Sequence, residues 1–466
     1  MVSIITLVSR VSMILMLGIY AFTCFTTLVT DYFGIDQKIL YGIKTILTYF
    51  ILINGSLVLY LNTSDDRILF LAIGQLLLFI IINYIFTTFF NPSNAGLINN
   101  ICLFLSISFI ELERIEIGKA LRQFIYSIIS FIIALVIVFL LLKLDSIKSL
   151  WILYALLGIV SLLIVTRLGT TEYGAKLSIR IGSISVQPAE FVKLTLVFFI
   201  AAVLYKNSEL KNVALVTVIS AIHVLILVAS KDLGGALIFL TAYIVMLFIA
   251  TSNYLYLIIT VSGSAFAGFL ALKLFSHIQT RFLAWKDPLS VVDDQGYQIS
   301  QSLFAIGSGG WLGTGLYQGS PTKIPVVSKD FIFAAVSEEF GGFFALCLML
   351  VVISTFLDIF SVAVKINDRF FRLIVAGFGT VYATQSLLNI GGVIKFIPST
   401  GVTLPFISYG GSSLLSSIIM FSIIITTYDL AGMRTDDFFL QKSNKKQNNT
   451  RESNRDINYR VDVLDL

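Results

Sequence analysis

The densest group of charged residues in the chain lies within residues 276–342, between two long apolar segments. Asp330 stands near the end of this stretch, directly before an apolar run that we expect to be helical. The positive end of a helix favours an ionised carboxylate, and an ionised carboxylate beside a hydroxyl group can act as a general base. The alternative is a plain acid at a helix start, and spacing alone favours neither. Further charged residues of the stretch are Arg281, Asp287, Asp293, Asp294, Lys323, Lys329, Glu338 and Glu339.

Two more acids interrupt apolar runs earlier in the chain. Glu190 and Lys193 follow Gln187 and Pro188, and at a spacing of i, i+3 they share one helix face and can neutralise each other. Ionisable residues inside a bilayer segment usually face a cavity or a partner, although Pro and Glu are also common at a helix start. Asp232 interrupts an apolar run and so indicates a turn between two helices. Alternatively, its carboxylate binds a metal or a substrate hydroxyl.

The elements that must position these groups are membrane spans. Of the 466 residues, 57% are hydrophobic and 13% are charged, whereas soluble proteins average roughly 45–50% and 25%. Taking about 20 apolar residues per span, we predict 12 or 13 transmembrane helices and a retained N-terminal span. We expect the three cysteines to be packing residues. The predicted spans are 9–30, 40–61, 67–90, 94–112, 123–144, 149–166, 184–205, 212–229, 235–250, 254–275, 331–361, 370–394 and 405–428, followed by a disordered cytoplasmic tail, 433–466.

Lys and Arg in short loops predict the orientation. Loops 145–148, 206–211 and 362–369 carry such cations and are predicted to be cytoplasmic, like the tail. Parity then places the other polar segments on the outer face, and these also carry cations, against the usual bias. An anionic, phosphate-bearing ligand explains them best, whereas the modest net charge of +5 gives no reason to expect nucleic acid. The outer segments are 167–183, 230–234, 276–330 and 395–404.

Several stretches together resemble the SEDS family (FtsW, RodA and SpoVE), the cell-wall glycosyltransferases that polymerise lipid II. The resemblance implies an all-α polytopic membrane protein with a ten-helix core at 91–432. It does not explain residues 1–90, which we predict to be an N-terminal transmembrane extension. The chain departs from the family's usual sequence at Leu177-Ser178, at Lys231 and at Ser328-Lys329. The matching stretches are Gly174-Ala175, Gln187 to Lys193, Asp232-Leu233-Gly234, Arg281 with Trp285 to Pro288, Gly296 to Gly310, Asp330 to Phe333 with Glu338-Glu339, Asn389 to Gly391, and Thr403 to Ser413.

The resemblance implies that the 4-hydroxyl of one disaccharide attacks the anomeric carbon of another, while undecaprenyl diphosphate leaves. Asp330 is then the expected general base, and Lys329 should lower its pKa. Arg281, Lys193 and Lys395 are candidates for binding the diphosphate. The other expected substrate-binding residues are Gln187, Glu190, Asp232, Gln301 and Ser412.

A departing diphosphate needs its charge neutralised, so we also expect a divalent cation, Mg²⁺ or Mn²⁺, at Asp232, Glu338 and Glu339. The two glutamates could instead order a neighbouring loop. The expected partners are a class B penicillin-binding protein and membrane lipid, in the bacterial cytoplasmic membrane with the site facing outward. The alternative functions are a flippase for lipid-linked precursors and a non-catalytic scaffold.

Overall fold

A computed structural model describes residues 2–29, 36–90, 95–172, 175–182, 184–293 and 296–427. The predicted tail 433–466 and the residues Tyr173, Gly174 and Asp294 lie outside these ranges. The helices are α1 (Val2–Leu28), α2 (Gln37–Thr63), α3 (Asp66–Phe89), α4 (Ala95–Ile115), α5 (Ile117–Lys143), α6 (Trp151–Leu168), α7 (Ala189–Leu204), α8 (Leu210–Ala229), α9 (Leu233–Thr251), α10 (Tyr254–Leu274), α11 (Ser276–Lys286), α12 (Tyr297–Gly309), α13 (Ile332–Phe340), α14 (Gly342–Lys365), α15 (Arg369–Val393) and α16 (Gly411–Thr427).

Within the described ranges, 11 helices are long and apolar enough to cross a membrane, and α16 is a shorter apolar helix. The predicted polytopic helical fold is therefore confirmed. The predicted span 94–112, whose end carries charge, corresponds to the full helix α4, and residues 95–113 of this helix are buried. It lies inside the bundle, where its charged end meets protein groups instead of lipid.

The predicted span 331–361 is two helices, α13 and α14, separated at Gly341. This glycine has a φ of 90°, and a Cβ atom there would lie 2.2 Å from the backbone nitrogen of Gly313. Only glycine allows this backbone conformation together with so close an approach. The apolar run alone gives no sign of the break.

A small antiparallel sheet adds to the predicted all-α fold. Strands β1 (Thr170–Glu172), β2 (Ala175–Ile181) and β3 (Ile184–Val186) form it in the order β1-β2-β3. Strand β3 takes up the first residues of the predicted span 184–205, so that α7 begins only at Ala189. The β-branched residues of this segment favour strands when they lie outside a bilayer helix.

Buried hydrogen bonds join the N-terminal helices to the rest of the bundle. The Tyr20 hydroxyl on α1 donates to Asn100 Oδ1 on α4 at 2.9 Å, and Asn100 Nδ2 donates to Thr355 Oγ1 on α14 at 2.9 Å. Gln75 Nε2 on α3 donates to Glu113 Oε1 on α4 at 2.9 Å. Polar contacts of this kind hold membrane helices together, so the extension packs as part of the bundle.

The loops gather at two ends, as their predicted parity requires. At one end, Lys148 lies 2.6 Å from Asp368 and Arg369 donates to Ser208 Oγ at 2.8 Å, joining the three loops predicted to be cytoplasmic. At the other end, Arg281 Nη1 donates to the carbonyl of Ser399 at 3.3 Å. This second end positions the site.

Candidate functional site

A cavity of about 500 Å³ opens among the starts of α7, α9 and α12, helix α11, and residues 325–330 and 399–403. Its walls include apolar side chains, among them those of Ile238 and Phe239. They carry equal numbers of acidic and basic side chains elsewhere. The charged residues that line it are Glu190, Lys193, Lys231, Asp232, Arg281 and Asp330.

Asp330 lies just before α13, and its backbone is held from two sides. Asn389 Nδ2 on α15 donates to the carbonyl of Asp330 at 2.9 Å and to that of Val402 at 2.7 Å. Ser408 Oγ donates to the carbonyl of Lys329 at 2.5 Å. Gly401 lies against the carboxylate, since a Cβ there would be 3.6 Å from Asp330 Oδ2. The main chain thus fixes the place of this side chain.

The Asp330 carboxylate makes no hydrogen bond to any residue that the structure describes, and the first turn of α13 has no side-chain cap. Its oxygens are therefore available to a ligand in the cavity. Asp330 is therefore not a helix cap, and its assignment as a base stays a prediction.

Burial raises the pKa of the Asp330 carboxyl to about 6, although the cations of Lys329 and Arg281 act to lower it. The net shift of this pKa is therefore upward. Lys329 acts as expected, but desolvation of the carboxylate outweighs it. A carboxyl group with this pKa is mostly ionised at neutral pH and is a stronger base than an exposed aspartate.

Asp232 lines the same cavity but has a structural contact. Its Oδ1 accepts a hydrogen bond from the backbone nitrogen of Gly235 at 2.8 Å and so caps α9. Burial raises the pKa of the Asp232 carboxyl; the Gly235 contact and Arg281 lower it, and Glu190 raises it further. Asp232 therefore begins a helix, as the predicted turn required, and also presents an acid to the cavity.

Arg281 lies on α11 and lines the cavity together with both aspartates. Burial lowers the pKa of its guanidinium, while Asp232 and Asp330 act to raise it. One turn later, Trp285 Nε1 donates to the carbonyl of Lys395 at 3.1 Å. Two contacts from α11, through Arg281 and Trp285, thus position the 395–404 loop.

Glu190 and Lys193 form the ion pair that their spacing predicts. Lys193 Nζ lies 2.5 Å from Glu190 Oε2 and 2.8 Å from Gln385 Oε1, and the lysine side chain is only 3% exposed. Ser416 Oγ donates to Glu190 Oε2 at 2.8 Å. The pair lies at the helix start and faces the cavity, so both interpretations of this motif hold.

Two residues that line the cavity have strained backbones. Lys231 has a φ of 63° and Val326 a φ of 57°. A β-branched residue at positive φ is an outlier, and such strain persists only where the surrounding structure enforces it, often at a functional site. Lys395 and Phe406, in the neighbouring loop, share this conformation at 61° and 65°.

Three of the predicted substrate-binding residues do not line the cavity. Ser412 Oγ accepts a hydrogen bond from the backbone nitrogen of Gln187 at 3.1 Å, so it positions a lining residue from behind. Lys395 contributes its carbonyl to Trp285. Gln301 lies on α12 beyond the lining residues. The prediction of direct binding is therefore not supported for these three.

Glu338 and Glu339 were expected to form a metal site with Asp232, and the structure separates them from it. Glu338 Oε1 accepts from the backbone nitrogen of Ser320 at 2.9 Å, and Glu339 Oε1 lies 2.9 Å from Arg114 Nε. Neither glutamate lines the cavity. Within the described ranges, no three His, Cys, Asp or Glu residues are grouped to hold a metal ion. The glutamates order a loop, which was the alternative.

Sequence reasoning missed several polar residues around the cavity. Tyr297 and Gln298 line it directly, as does Lys231, which belongs to the outer segment 230–234 whose cations were expected to face an anionic ligand. Gln385 reaches Lys193, and Asn389 reaches Asp330. The last two were detectable, because polar residues four positions apart in an apolar span lie on one helix face.

The profile of the FtsW/RodA/SpoVE family, described as "Cell cycle protein", matches residues 93–429. The chain belongs to this family. The match covers the residues that build the cavity and leaves α1, α2 and α3 outside it.

Members of the family resemble more than half of the chain. It is 35% identical over 269 residues to "Peptidoglycan glycosyltransferase RodA" of Mycobacterium bovis, covering 54% of this chain and 57% of the relative. It is 34% identical over 281 residues to "Stage V sporulation protein E" of Bacillus subtilis, covering 57% and 74%. The chain thus spans less than two thirds of the mycobacterial relative.

The fold is shared with a solved structure described as "Structural coordination of polymerization and crosslinking by a peptidoglycan synthase complex". The TM-score is 0.60 at 23% identity, over 72% of this chain and 97% of that one. At this identity the likeness shows the fold alone.

Proposed function

We propose that the protein is a peptidoglycan glycosyltransferase that polymerises lipid II into glycan strands at the outer face of the bacterial cytoplasmic membrane. The observation that carries the proposal is the Asp330 carboxylate, which lies in a cavity beside cations and has no hydrogen bond within the described chain. The name of the mycobacterial relative supports the reaction class.

In this reaction Asp330 accepts the proton of the acceptor 4-hydroxyl as its oxygen attacks the anomeric carbon of the donor sugar. The bond from that carbon to the diphosphate oxygen breaks, and undecaprenyl diphosphate leaves with the electron pair. Arg281 and Lys231 line the cavity and stabilise the developing negative charge. Lys193 is already neutralised by Glu190 and contributes less.

The apolar wall formed by Ile238 and Phe239 suits the lipid part of the substrate. A flippase, the alternative considered, needs charged groups that are reached alternately from both ends of the molecule. The charged lining of this cavity belongs to one end, while Lys148 and Asp368 are paired at the other.

A divalent cation stays part of the proposal only as an expectation from the chemistry of the leaving group. The three acids first expected to hold it are not assembled in the described residues. No step of the proposed reaction is assigned to it.

A class B penicillin-binding protein is the proposed partner. Its support is the description of the structural neighbour, a complex in which polymerisation and crosslinking are coordinated. Crosslinking requires a transpeptidase, which the cavity described here does not provide.

The decisive experiment compares Asp330→Asn with wild type in the conversion of purified lipid II to polymer. Loss of a positioned base should reduce the rate by roughly 10²- to 10⁴-fold, because asparagine keeps the shape and cannot take the proton. Asp287→Asn is the matched control, since Asp287 is exposed and lies outside the cavity lining. A well-folded Asp330→Asn protein that polymerises within a few-fold of wild type would refute the assignment.

A further inference from the structure

The segment 313–320, here called the glycine loop, is fastened to the end of α13. The backbone nitrogens of Thr314 and Gly315 donate to the carbonyls of Glu338 and Glu339, each at 2.9 Å. Ser320 N donates to Glu338 Oε1 at 2.9 Å. Because α13 begins just after Asp330, the glycine loop and Asp330 lie at opposite ends of one short helix. This helix therefore connects the glycine loop to the proposed base.

One clamp on the glycine loop comes from α4, inside the family match. Arg114 Nη2 donates to the carbonyl of Gly319 at 3.0 Å, and its Nε lies 2.9 Å from Glu339 Oε1. The guanidinium also lies 4.5 Å from the ring centre of Tyr317. Arg114 thus binds both the glycine loop and Glu339, the acid to which the loop is anchored.

A second clamp comes from α1, which lies outside the family match. Arg10 Nη1 donates to the carbonyl of Gly313 at 2.9 Å. Thr6, one turn earlier on α1, lies beside Gly315. Gly313 and Gly315 have φ values of 79° and 105°, so this is the part of the loop where the chain needs glycine.

An arginine in an apolar span is costly unless it has partners. Within the described residues Arg10 makes no ion pair, and its buried Nε has no hydrogen-bond partner. Its hydrogen bond to the carbonyl of Gly313 stabilises the guanidinium in this position. A role in helix packing alone does not require a guanidinium at this position.

We propose that Arg10 is a positioning residue, through which the N-terminal extension holds the glycine loop and thereby Asp330 in place. This inference rests on the proposed function, because it assigns Arg10 a role in the same site. The extension, which is not part of the family core, is then a functional part of the enzyme.

The test uses three full-length variants. Arg10→Met removes the donors and keeps an unbranched side chain, Arg10→Lys keeps one charged donor, and Arg67→Met is the control on α3. Arg67 is 71% exposed and pairs with Asp65, remote in sequence from the glycine loop. Each variant is measured by hydrogen exchange of the peptide that contains Thr314 and Gly315, and by kcat and KM for polymerisation.

We expect Arg10→Met to speed exchange in this peptide by about tenfold, which is the equilibrium effect of losing one hydrogen bond from a charged donor. kcat should fall by about tenfold while KM stays within twofold, because the loop positions the base and does not contact substrate. Arg10→Lys should restore most of both values, and Arg67→Met should change neither.

Unchanged exchange in Arg10→Met would overturn the clamp. Faster exchange with unchanged kcat would overturn the link to Asp330. If wild type polymerises nothing while Arg10→Met still exchanges faster, then the proposed function fails and the clamp between α1 and the loop stands by itself.

Discussion

Asp330 and Asp232 line the same cavity, but their carboxylates differ in their hydrogen bonds. Asp232 caps α9 through Gly235, so its carboxylate is partly committed to the fold. Asp330 has no such contact in the described chain, and burial brings its pKa to about 6. A group that must accept a proton at neutral pH needs a carboxylate that is free of such a contact, as that of Asp330 is within the described chain.

The pKa of Asp330 predicts how the polymerisation rate depends on pH. Because burial raises this pKa to about 6, the carboxyl is protonated and inactive as a base below that pH. We expect kcat/KM to rise with pH through a midpoint near the same value and to level off above it. Initial rates between roughly pH 5 and pH 8, with enzyme stability checked at each end, measure it. A flat profile would contradict a titrating base.

Lys329→Met tests the direction in which Lys329 shifts the pKa of Asp330. The Lys329 ammonium lowers the pKa of Asp330, so its removal should move the midpoint upward. Lys323 lies in the same segment but does not contribute to the pKa shift of Asp330. Lys323→Met should therefore leave the midpoint unchanged.

At the scale of elements, close backbone contacts hold α12 against α13. A Cβ on Gly309 would lie 2.3 Å from the carbonyl oxygen of Ser337 and 2.8 Å from the Cα of Glu338. Backbone atoms cannot rotate away as a side chain can, so the two helices must separate. Gly307, two residues earlier on α12, has nothing within 4 Å of its Cβ position.

We therefore expect Gly309→Ala to lower the thermal unfolding midpoint by several degrees and to reduce polymerisation at least tenfold. An overpacked contact typically costs about 1–3 kcal/mol, and this one lies beside the helix that follows Asp330. Gly307→Ala should keep both properties near wild type. Equal behaviour of the two variants in thermal denaturation and activity assays would contradict the close contact.

The sequence predicted the long elements well, because a run of about 20 apolar residues has few alternatives to a bilayer helix. It failed where structure depends on contacts between distant segments. The break at Gly341 exists because Gly313 passes beside it, and nothing near Gly341 in the sequence reveals that approach. The sheet at 170–186 was missed because its strands are short.

The same reasoning explains which site residues were found. Asp330, Asp232, Arg281, Glu190, Lys193 and Gln187 were all predicted, and all six line the cavity. Charged residues near apolar segments stand out in a sequence. Glu338 and Glu339 stand out equally, yet their partners are Ser320 and Arg114, and only the fold shows that these acids order a loop.

For the whole molecule, the gathering of loops at two ends predicts which residues share a side of the membrane. Ser320 and Asn207 are both exposed. They belong to the loops predicted to lie outside and inside, respectively. We expect Ser320→Cys to react with a membrane-impermeant maleimide in intact cells, and Asn207→Cys to react only after lysis. The opposite pattern would reverse the orientation and move the cavity to the cytoplasm.

The long sequence separation of the contacts to the N-terminal helices bears on how the chain is made. Arg10 and its acceptor Gly313 are 303 positions apart, and Asn100 and Thr355 are 255 apart. At a synthesis rate of roughly 5–20 residues per second, about 15–60 s pass before the ribosome supplies the acceptor of Arg10. During that interval Arg10 on α1 and the Nδ2 donor of Asn100 on α4 lack these partners. The early helices must therefore be shielded by one another or by the insertion machinery until α14 arrives.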